Sequence, residues 1–354
     1  MVYIGSYSSD SGEGIYTFEL DNTTGKLNTA FAPVHAGNPS YLTLSDDQRY
    51  LYAVLETREF HGVFGGGVAA YAVDNKGGLT FLNESPTMGL DPCYLSTDRS
   101  NSILVASNYS SGSLSVFSLE QQGAIEPCLL VETHTGSGPD QERQEMPHVH
   151  FTDFTPDGKY ICAVDLGIDT VKFYRFDKKA NTLHAEDRLN ILLRPGTGPR
   201  HVVFHEGMRF VYIITELSSE IAVFEYVDGR YEGRQYISTL PPDFKGSSAA
   251  AALRMSPDGR FLYASNRGHD SIASFQIGKD GVLAPCGIYP VQGQGPRDFA
   301  IEPLGNYLLA ANEKSNEIVV LKVDKVSGAL KPTGISEKLH SPTCIQFLPI
   351  NGVD

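Results

Sequence analysis

The sequence predicts an all-β fold: a seven-bladed β-propeller with four antiparallel strands in each blade. Three observations support this prediction. An apolar six-residue strand recurs along the chain, its copies lie at similar intervals, and the two chain ends hold complementary parts of one further copy. Four short strands in about 50 residues are typical of one propeller blade. We therefore expect a single domain over residues 1–354.

The recurring strand is apolar until a polar residue closes it, as expected for a strand packed between two neighbouring sheets. A second strand, usually introduced by proline, precedes it, and a turn such as Pro156-Asp157-Gly158 joins the two. Proline presets φ and glycine accepts a positive φ, so this sequence favours a tight turn. A third apolar strand follows each copy. The six copies span residues 51–56, 103–108, 160–165, 211–216, 261–266 and 307–312.

The seventh blade is divided between the two ends of the chain. Val2–Ser6, residues 15–20 and residues 25–27 match the second, third and fourth strands of a blade, and Pro342–Phe347 matches the missing first strand. This exchange closes the ring and leaves no unpaired inner strand. Two longer interruptions, residues 59–67 and 136–146, are predicted as loops on one face.

Composition excludes several classes of function. A net charge of −14 argues against non-specific binding to nucleic acid. No apolar run is long enough to predict a membrane span, and no leader pattern precedes the first strand. The five cysteines lack the spacing of a metal or redox motif, so we expect reduced core residues and a cytoplasmic location. We predict no cofactor, no nucleic-acid partner and no membrane partner, and leave the oligomeric state open.

The innermost strands of a propeller line its central channel, so residues at equivalent positions of these strands face one another. Three of the seven equivalent positions carry histidine or arginine, and polar residues flank each of the three. Arginines that share a channel repel one another unless an anion lies between them. The alternative is that these side chains only bond to neighbouring blades. The seven positions are Ser40, Cys93, His150, Arg200, Ala251, Arg297 and Thr343, with His148, His201 and Asp298 beside them.

The polar residues that close the second strands are a second group of candidates. Buried asparagine and aspartate can instead satisfy loop amides, and that alternative stays open. The pair His148-Val149-His150 could chelate a metal, but no carboxylate cluster accompanies it, so we predict no metal site. The group comprises Asp165, Glu216, Asn266 and Asn312, followed in the chain by Arg267 and Glu313.

Several motifs resemble those of the propeller-type lactonase family, whose best-known members are bacterial 6-phosphogluconolactonases. The family is also similar to fungal enzymes that cyclise muconates to lactones. One departure is Ala251-Ala252-Leu253, where family members usually have Ala-Glu-Ile, so a carboxylate near the channel is absent here. The motifs are Pro147-His148-Val149-His150, Asp165-Leu166-Gly167, Gly198-Pro199-Arg200-His201, Thr215-Glu216-Leu217, Ser265-Asn266-Arg267-Gly268, Gly295-Pro296-Arg297 and Ala311-Asn312-Glu313.

The resemblance implies hydrolysis of a sugar-acid lactone, with 6-phosphogluconolactone as the expected substrate. Two alternatives remain: a lactonase or cyclase for a muconate-type substrate, and a propeller that binds a ligand or protein without catalysis. A base, oxyanion donors and ring-positioning groups are needed to open the ester.

We expect these roles to be shared among residues at one mouth of the channel. The candidate base is His148 or His150, with Glu216 in reserve. Asp165 is expected to orient an imidazole. Arg200, Arg267 and Arg297 are expected to hold the phosphate and polarise the carbonyl, with Asn266 and Asn312 binding hydroxyls. The predicted substrate-binding residues are His201, Asn266, Arg267, Arg297, Asn312 and Glu313.

Overall fold

The computed structural model describes residues 1–8 and 12–348 and contains seven antiparallel sheets, each with four main strands. The first strand of every blade contacts the first strands of the blades on either side, which closes the ring. Helical structure in the described residues is limited to two 3₁₀ turns, Asp187–Leu189 and Glu206–Met208. No helix there has the length and apolar character that crossing a membrane requires. The seven-bladed all-β fold predicted from the repeat is confirmed.

We number the blades by the order of their first strands. Blade 1 comprises Leu42–Leu44, Tyr50–Leu55, Gly67–Val73 and Leu79–Pro86. Blade 2 comprises Pro92–Thr97, Ile103–Asn108, Ser113–Leu119 and Ile125–Thr133. Blade 3 comprises Val149–Phe154, Ile161–Asp165, Thr170–Asp177, Thr182–Ala185 and Ile191–Leu192. Blade 4 comprises Pro199–Phe204, Phe210–Thr215, Glu220–Val227 and Arg230–Ser238.

The remaining blades complete the ring. Blade 5 comprises Ala249–Met255, Phe261–Arg267, Ser271–Ile277 and Leu283–Pro290. Blade 6 comprises Pro296–Ile301, Tyr307–Asn312, Glu317–Val323 and Leu330–Lys338. Blade 7 comprises Pro342–Phe347, Val2–Ser6, Glu13–Leu20 and Leu27–His35.

Blade 7 joins the two ends of the chain as predicted. Pro342–Phe347 pairs antiparallel with Val2–Ser6, with Ile345 opposite Ile4 and Phe347 opposite Val2. Ile4 and Ile345 are both buried, so the seam carries apolar packing as well as backbone hydrogen bonds. Removal of this strand would expose that packing and leave a strand edge unpaired.

Two details differ from the predicted pattern. Residues 59–67 do not form a plain loop, because Glu59–Phe60 and Val63–Phe64 pair as a small hairpin. In blade 3 the outer strand is interrupted: Thr182–Ala185 and Ile191–Leu192 both pair with Thr170–Asp177. The 3₁₀ turn between these two short strands breaks their continuity.

The core lies between the blades, where the second strands pack on both faces. Tyr50–Leu55, Phe210–Thr215 and Tyr307–Asn312 are buried at every residue. Tyr212 also donates a hydrogen bond at 3.0 Å to the carbonyl of Gly281, in a turn of the next blade. Gly281 has φ of 75°, and a Cβ there would lie 2.4 Å from the Phe210 ring, so this contact requires glycine.

Candidate active site

A β-bulge marks the channel-facing position of the first strand in most blades. In blades 2 to 7 the register against the second strand shifts at Cys93, His150, Arg200, Ala251, Arg297 and Thr343. Bulges change the direction of a side chain and are common beside active sites. The positions that the sequence repeat aligns are therefore equivalent in structure, and they open at the end of the channel where the second strands finish.

Glu216 closes the second strand of blade 4 and lies among three arginines. Arg143 Nη2 donates to Oε1 at 2.6 Å, while Arg200 Nε and Arg267 Nη2 lie 3.1 and 2.8 Å from Oε2. Burial alone would raise the pKa of this carboxyl group, but the charges of Arg267, Arg200 and Arg143 hold it below its usual range. Glu216 is therefore an ionised anchor; we call these four residues the Glu216 cluster.

Arg143 belongs to the loop of residues 136–146, which is held in place by its own side chains. Asp140 Oδ1 accepts hydrogen bonds from the backbone N–H groups of Glu142 and Arg143, at 3.0 and 3.1 Å. Gln144 Nε2 donates to the carbonyl of Leu166 at 2.8 Å. These contacts carry Arg143 over the channel, where 39% of its side chain is exposed.

Two buried histidines border the Glu216 cluster. His201 Nε2 accepts a hydrogen bond from Arg200 Nη1 at 3.0 Å, and its ring centroid lies 5.7 Å from that of His150. Burial and the charge of Arg200 lower the pKa of both imidazoles well below the ordinary value. Both rings are therefore neutral at physiological pH. A neutral imidazole can accept a proton, and Cys93 Sγ lies 3.8 Å from Nδ1 of His150.

His148 lies at the rim rather than in the channel floor. Its ring stacks on Tyr109 at a centroid distance of 4.5 Å, and its Nδ1 lies 3.2 Å from the Tyr109 carbonyl oxygen. Its Nε2 lies 3.3 Å from a Glu145 carboxylate oxygen. The Tyr109 hydroxyl in turn accepts from Arg143 at 3.3 Å, so His148 is connected to the Glu216 cluster through Tyr109.

Asp165 does not contact the side chains of His148 or His150. Its Oδ2 lies 2.7 Å from His134 Nδ1, and its Oδ1 accepts from the backbone N–H groups of His148 and Gly167 at 2.7 and 2.9 Å. Both partners of the His134–Asp165 pair are fully buried. The imidazole that Asp165 orients is thus His134, a residue that was not predicted, and Asp165 supports the site by fixing the backbone before His150.

Across the channel, Arg297 lies among acceptors instead of other cations. Its guanidinium faces the Tyr7 ring at 5.5 Å and Glu313 at 3.7 Å. Tyr7 donates at 3.0 Å to Glu56 Oε1, and the hydroxyl of Ser40 donates to Oε2 of the same carboxylate. We call Tyr7, Ser40, Glu56, Arg297 and Glu313 the Arg297 cluster.

Asn266 and Asn312 lie apart from both clusters. Asn266 is bonded to Thr239, donating to its carbonyl at 2.9 Å and accepting from its hydroxyl at 2.6 Å. Asn312 Nδ2 donates to the carbonyl of Val291 at 3.4 Å. Both amides are fully buried and bond to the loop that follows the outer strand of the preceding blade, so they satisfy loop groups, which is the alternative that the sequence left open.

The channel is closed immediately below the site. Tyr41 stacks on Tyr94 at 3.9 Å, and Arg254 bonds Asp298 at 3.0 Å. The cavity between Arg200 and Arg297 measures about 10 Å³ and holds no more than one water. A much larger cavity of about 850 Å³ lies at the opposite face, beside Met1 and Leu348, and contains none of the predicted site residues. A substrate would therefore bind at the mouth and could not pass through the channel.

The residues missed at the sequence level are Tyr7, Glu56, Tyr109, His134 and Arg143. The sequence did contain a signal for Glu56, because this residue closes the second strand of blade 1 as Glu216 closes that of blade 4. Arg143 had no such signal, since it lies in the longest connection between two blades, whose conformation the repeat does not define. Within residues 1–8 and 12–348, no three His, Cys, Asp or Glu side chains are grouped to hold a metal ion.

Known lactonases resemble this chain over almost its whole length. The family described as "Lactonase, 7-bladed beta-propeller" matches residues 1–347. The chain is 38% identical to the 6-phosphogluconolactonase of Bacillus subtilis over 98% of this chain and 97% of that protein. It is 34% identical to the 6-phosphogluconolactonase of Formosa agariphila, over 93% and 94% of the two chains. The structure of a periplasmic gluconolactonase from Pseudomonas aeruginosa superposes with a TM-score of 0.93 at 34% identity, covering 99% of both chains.

Proposed function

Because the chain belongs to the lactonase family of seven-bladed β-propellers, we propose that it hydrolyses 6-phosphogluconolactone to 6-phosphogluconate. This reaction is a step of the pentose phosphate pathway. The proposal is supported above all by the arrangement of charged and titratable residues at the channel mouth. A neutral, buried histidine lies beside an arginine cluster arranged around an ionised glutamate. The mouth thus offers a proton acceptor and donors for an oxyanion in one place.

The proposed base is His150. Its imidazole takes a proton from water while the water oxygen bonds to the lactone carbonyl carbon. The bond between that carbon and the ring oxygen then breaks, and the imidazolium returns its proton to the ring oxygen as it leaves. The product acid loses a proton to solvent. A low pKa keeps His150 unprotonated, so the free base is present throughout the neutral range.

Arg200 is the proposed oxyanion donor. It is buried beside His150 and His201 and lines the small cavity at the base of the mouth. Burial and the neighbouring charge of Arg267 lower its pKa to about 10, so an anion that forms beside it relieves an unfavourable electrostatic environment. Loss of one such donor typically costs about 100- to 1,000-fold in kcat.

Glu216 serves as the anchor of the arginines and not as the base. Its Oε1 is bound by Arg143 and its Oε2 lies against Arg200 and Arg267, so both carboxylate oxygens are already engaged. Its proposed role is to hold Arg143, Arg200 and Arg267 in one orientation before substrate arrives. Such preorganisation avoids a reorganisation cost during the reaction.

The test is a rate comparison against an enzyme-free blank, because lactones of this type open spontaneously. Purified protein is assayed with 6-phosphogluconolactone, gluconolactone and a muconolactone. Faster opening of the phosphorylated lactone than of the other two supports the proposal. Activity on the muconolactone alone would favour a muconate-type enzyme, and no rate above the blank on any of the three would favour a binding propeller.

We also propose a cytoplasmic location. The cysteines are free thiols, and Cys93, Cys162 and Cys344 are buried, which suits a reducing compartment. One similar structure is of a periplasmic protein, so location varies among proteins of this shape. Fractionation of cells that express the full-length protein tests this point, and recovery with periplasmic markers would refute it.

A further inference from the structure

The two clusters at the channel mouth carry opposite charge. In the Glu216 cluster three arginines surround one carboxylate, which gives a formal charge of +2. In the Arg297 cluster one arginine faces Glu56 and Glu313, which gives a formal charge of −1. The protein as a whole carries −14, so the Glu216 cluster is a local exception to the surrounding field.

The pKa values of Arg200 and Arg297, the two channel-facing arginines, shift in opposite directions, as the opposite charges of the two clusters predict. Burial and the charge of Arg267 lower the pKa of Arg200 to about 10. Burial also disfavours the charge of Arg297, but Tyr7, Glu56 and Glu313 outweigh it and raise the pKa of Arg297 above its ordinary value. Arg200 shares its one carboxylate, Glu216, with two other arginines, whereas Arg297 has the carboxylates of Glu56 and Glu313 beside it.

Within the Glu216 cluster, Arg143 and Arg267 are the members that solvent reaches. Arg143 is 39% exposed and Arg267 is 16% exposed, whereas Arg200 is 4% exposed. Arg143 directs only Nη2 to Glu216 and Tyr109 among the described contacts, which leaves Nε and Nη1 for a ligand. Arg200 instead uses Nη1 on His201 and on the carbonyl of Ala251. A phosphate at the rim also keeps part of its hydration and so avoids the cost of full burial.

The Arg297 cluster has the chemistry of a hydroxyl site. Carboxylates accept a hydrogen bond from a sugar hydroxyl, and a guanidinium donates one to it. Glu56, Glu313 and Arg297 together therefore satisfy sugar hydroxyl groups both as donors and as acceptors. A phosphate dianion there would be repelled by two carboxylates.

We infer that the substrate has one orientation across the mouth, with its phosphate on Arg143 and Arg267 and its ring hydroxyls on Arg297, Glu56 and Glu313. This inference rests on the proposed function and adds the specificity residues to it. Arg143, from the longest connection between two blades, is the residue that selects a phosphorylated lactone over an unphosphorylated one.

The experiment measures KM for 6-phosphogluconolactone and for gluconolactone in Arg143→Gln, Arg297→Gln and the unaltered protein. Arg143→Gln should raise KM for the phosphorylated lactone at least tenfold more than KM for gluconolactone, since a charge-assisted hydrogen bond corresponds to about 10- to 150-fold. Arg297→Gln should raise both by similar factors, because both substrates carry the hydroxyls. Arg230→Gln, on an outer strand and 66% exposed, is the matched control and should change neither.

Inorganic phosphate gives a second measurement that does not depend on turnover. Calorimetry should show that phosphate binds the unaltered protein most tightly, Arg143→Lys more weakly and Arg143→Gln most weakly. Lysine keeps the charge of arginine but not its planar fork. Melting temperatures equal to that of the unaltered protein would exclude misfolding of a variant as the cause of weaker binding.

The outcomes separate the inference from the proposed function. If the unaltered protein opens neither lactone above the blank, the proposed function fails. If it opens both but Arg143→Gln raises the two KM values equally, or Arg297→Gln is the variant that loses phosphate selectivity, the inference is overturned and the proposed function stands.

Discussion

The two halves of the channel mouth use the same residue types in opposite proportions. The Glu216 cluster surrounds one carboxylate with three arginines, while the Arg297 cluster surrounds one arginine with two carboxylates and a phenol. Equivalent positions of the first strands supply one arginine to each half, Arg200 and Arg297. A symmetric scaffold has therefore produced two sites of different polarity, and a substrate with an anionic end and a polyol end matches that difference.

Deletion of residues 340–354 should have the largest effect and should break the Arg297 half first. The deleted strand pairs with Val2–Ser6 and contacts the first strand of blade 6, which carries Arg297, while its Thr343 donates a hydrogen bond to the Ser40 carbonyl at 2.9 Å. We expect severe loss of stability, because blade 7 would lose its inner strand. Melting temperature measures this, and an unchanged value would contradict closure of the ring by strand exchange.

His150→Asn should reduce kcat by about 100- to 10,000-fold, the usual contribution of a general base. Asparagine keeps a polar side chain in the site but cannot take the proton. The comparison is His148→Asn, which alters the rim and not the channel floor and should have the smaller effect on kcat. If His148→Asn were the more damaging variant, the base would have to be reassigned to the rim.

Glu216→Gln and Glu313→Gln compare the anchors of the two halves. Glu216 is buried among three cations, and breaking a buried pair costs about 3–5 kcal/mol in the free energy of unfolding. Glu313 is 24% exposed and lies 3.7 Å from its arginine, so its pair is expected to contribute about 0–1 kcal/mol. Denaturant unfolding of both variants gives the two values, and equal costs would mean that the halves do not differ in rigidity.

The pH dependence of stability should also come from the Glu216 half. The folded pKa values of His150 and His201 are lowered, so below their ordinary value of about 6.5 the unfolded chain binds protons that the folded one does not. Stability should therefore fall as pH drops below about 6.5, by up to about 1.4 kcal/mol per pH unit for each histidine. Glu216 stays ionised in this window, so its contribution persists. A His150→Asn, His201→Asn double variant should show a shallower slope, and an unchanged slope would place the titrating groups elsewhere.

The sequence predicted the fold because the blades repeat the same strands in the same order. For the same reason it placed His150, Arg200 and Arg297 at one register position, and the three lie near one another in the structure. The repeat could not place residues whose position depends on loop conformation. Arg143 reaches Glu216 only because Asp140 and Gln144 fold their loop over the channel.

The sequence also could not predict the contacts of Asp165, Asn266 and Asn312. Each closes a second strand, as Glu216 does, but their partners are His134, Thr239 and Val291, each directly after the outer strand of the preceding blade. Whether a strand-closing side chain turns to the channel or to the preceding blade depends on these non-local contacts. A one-dimensional repeat does not contain that information.

The most direct test of the polarity of the mouth is a crystal structure with 6-phosphogluconate bound. The difference between the two halves predicts phosphate oxygens at hydrogen-bond distance, about 2.7–3.2 Å, from Arg143 and Arg267, with sugar hydroxyls on Glu56, Arg297 and Glu313. Phosphate seated on Arg297, with the hydroxyls beside Glu216, would contradict it.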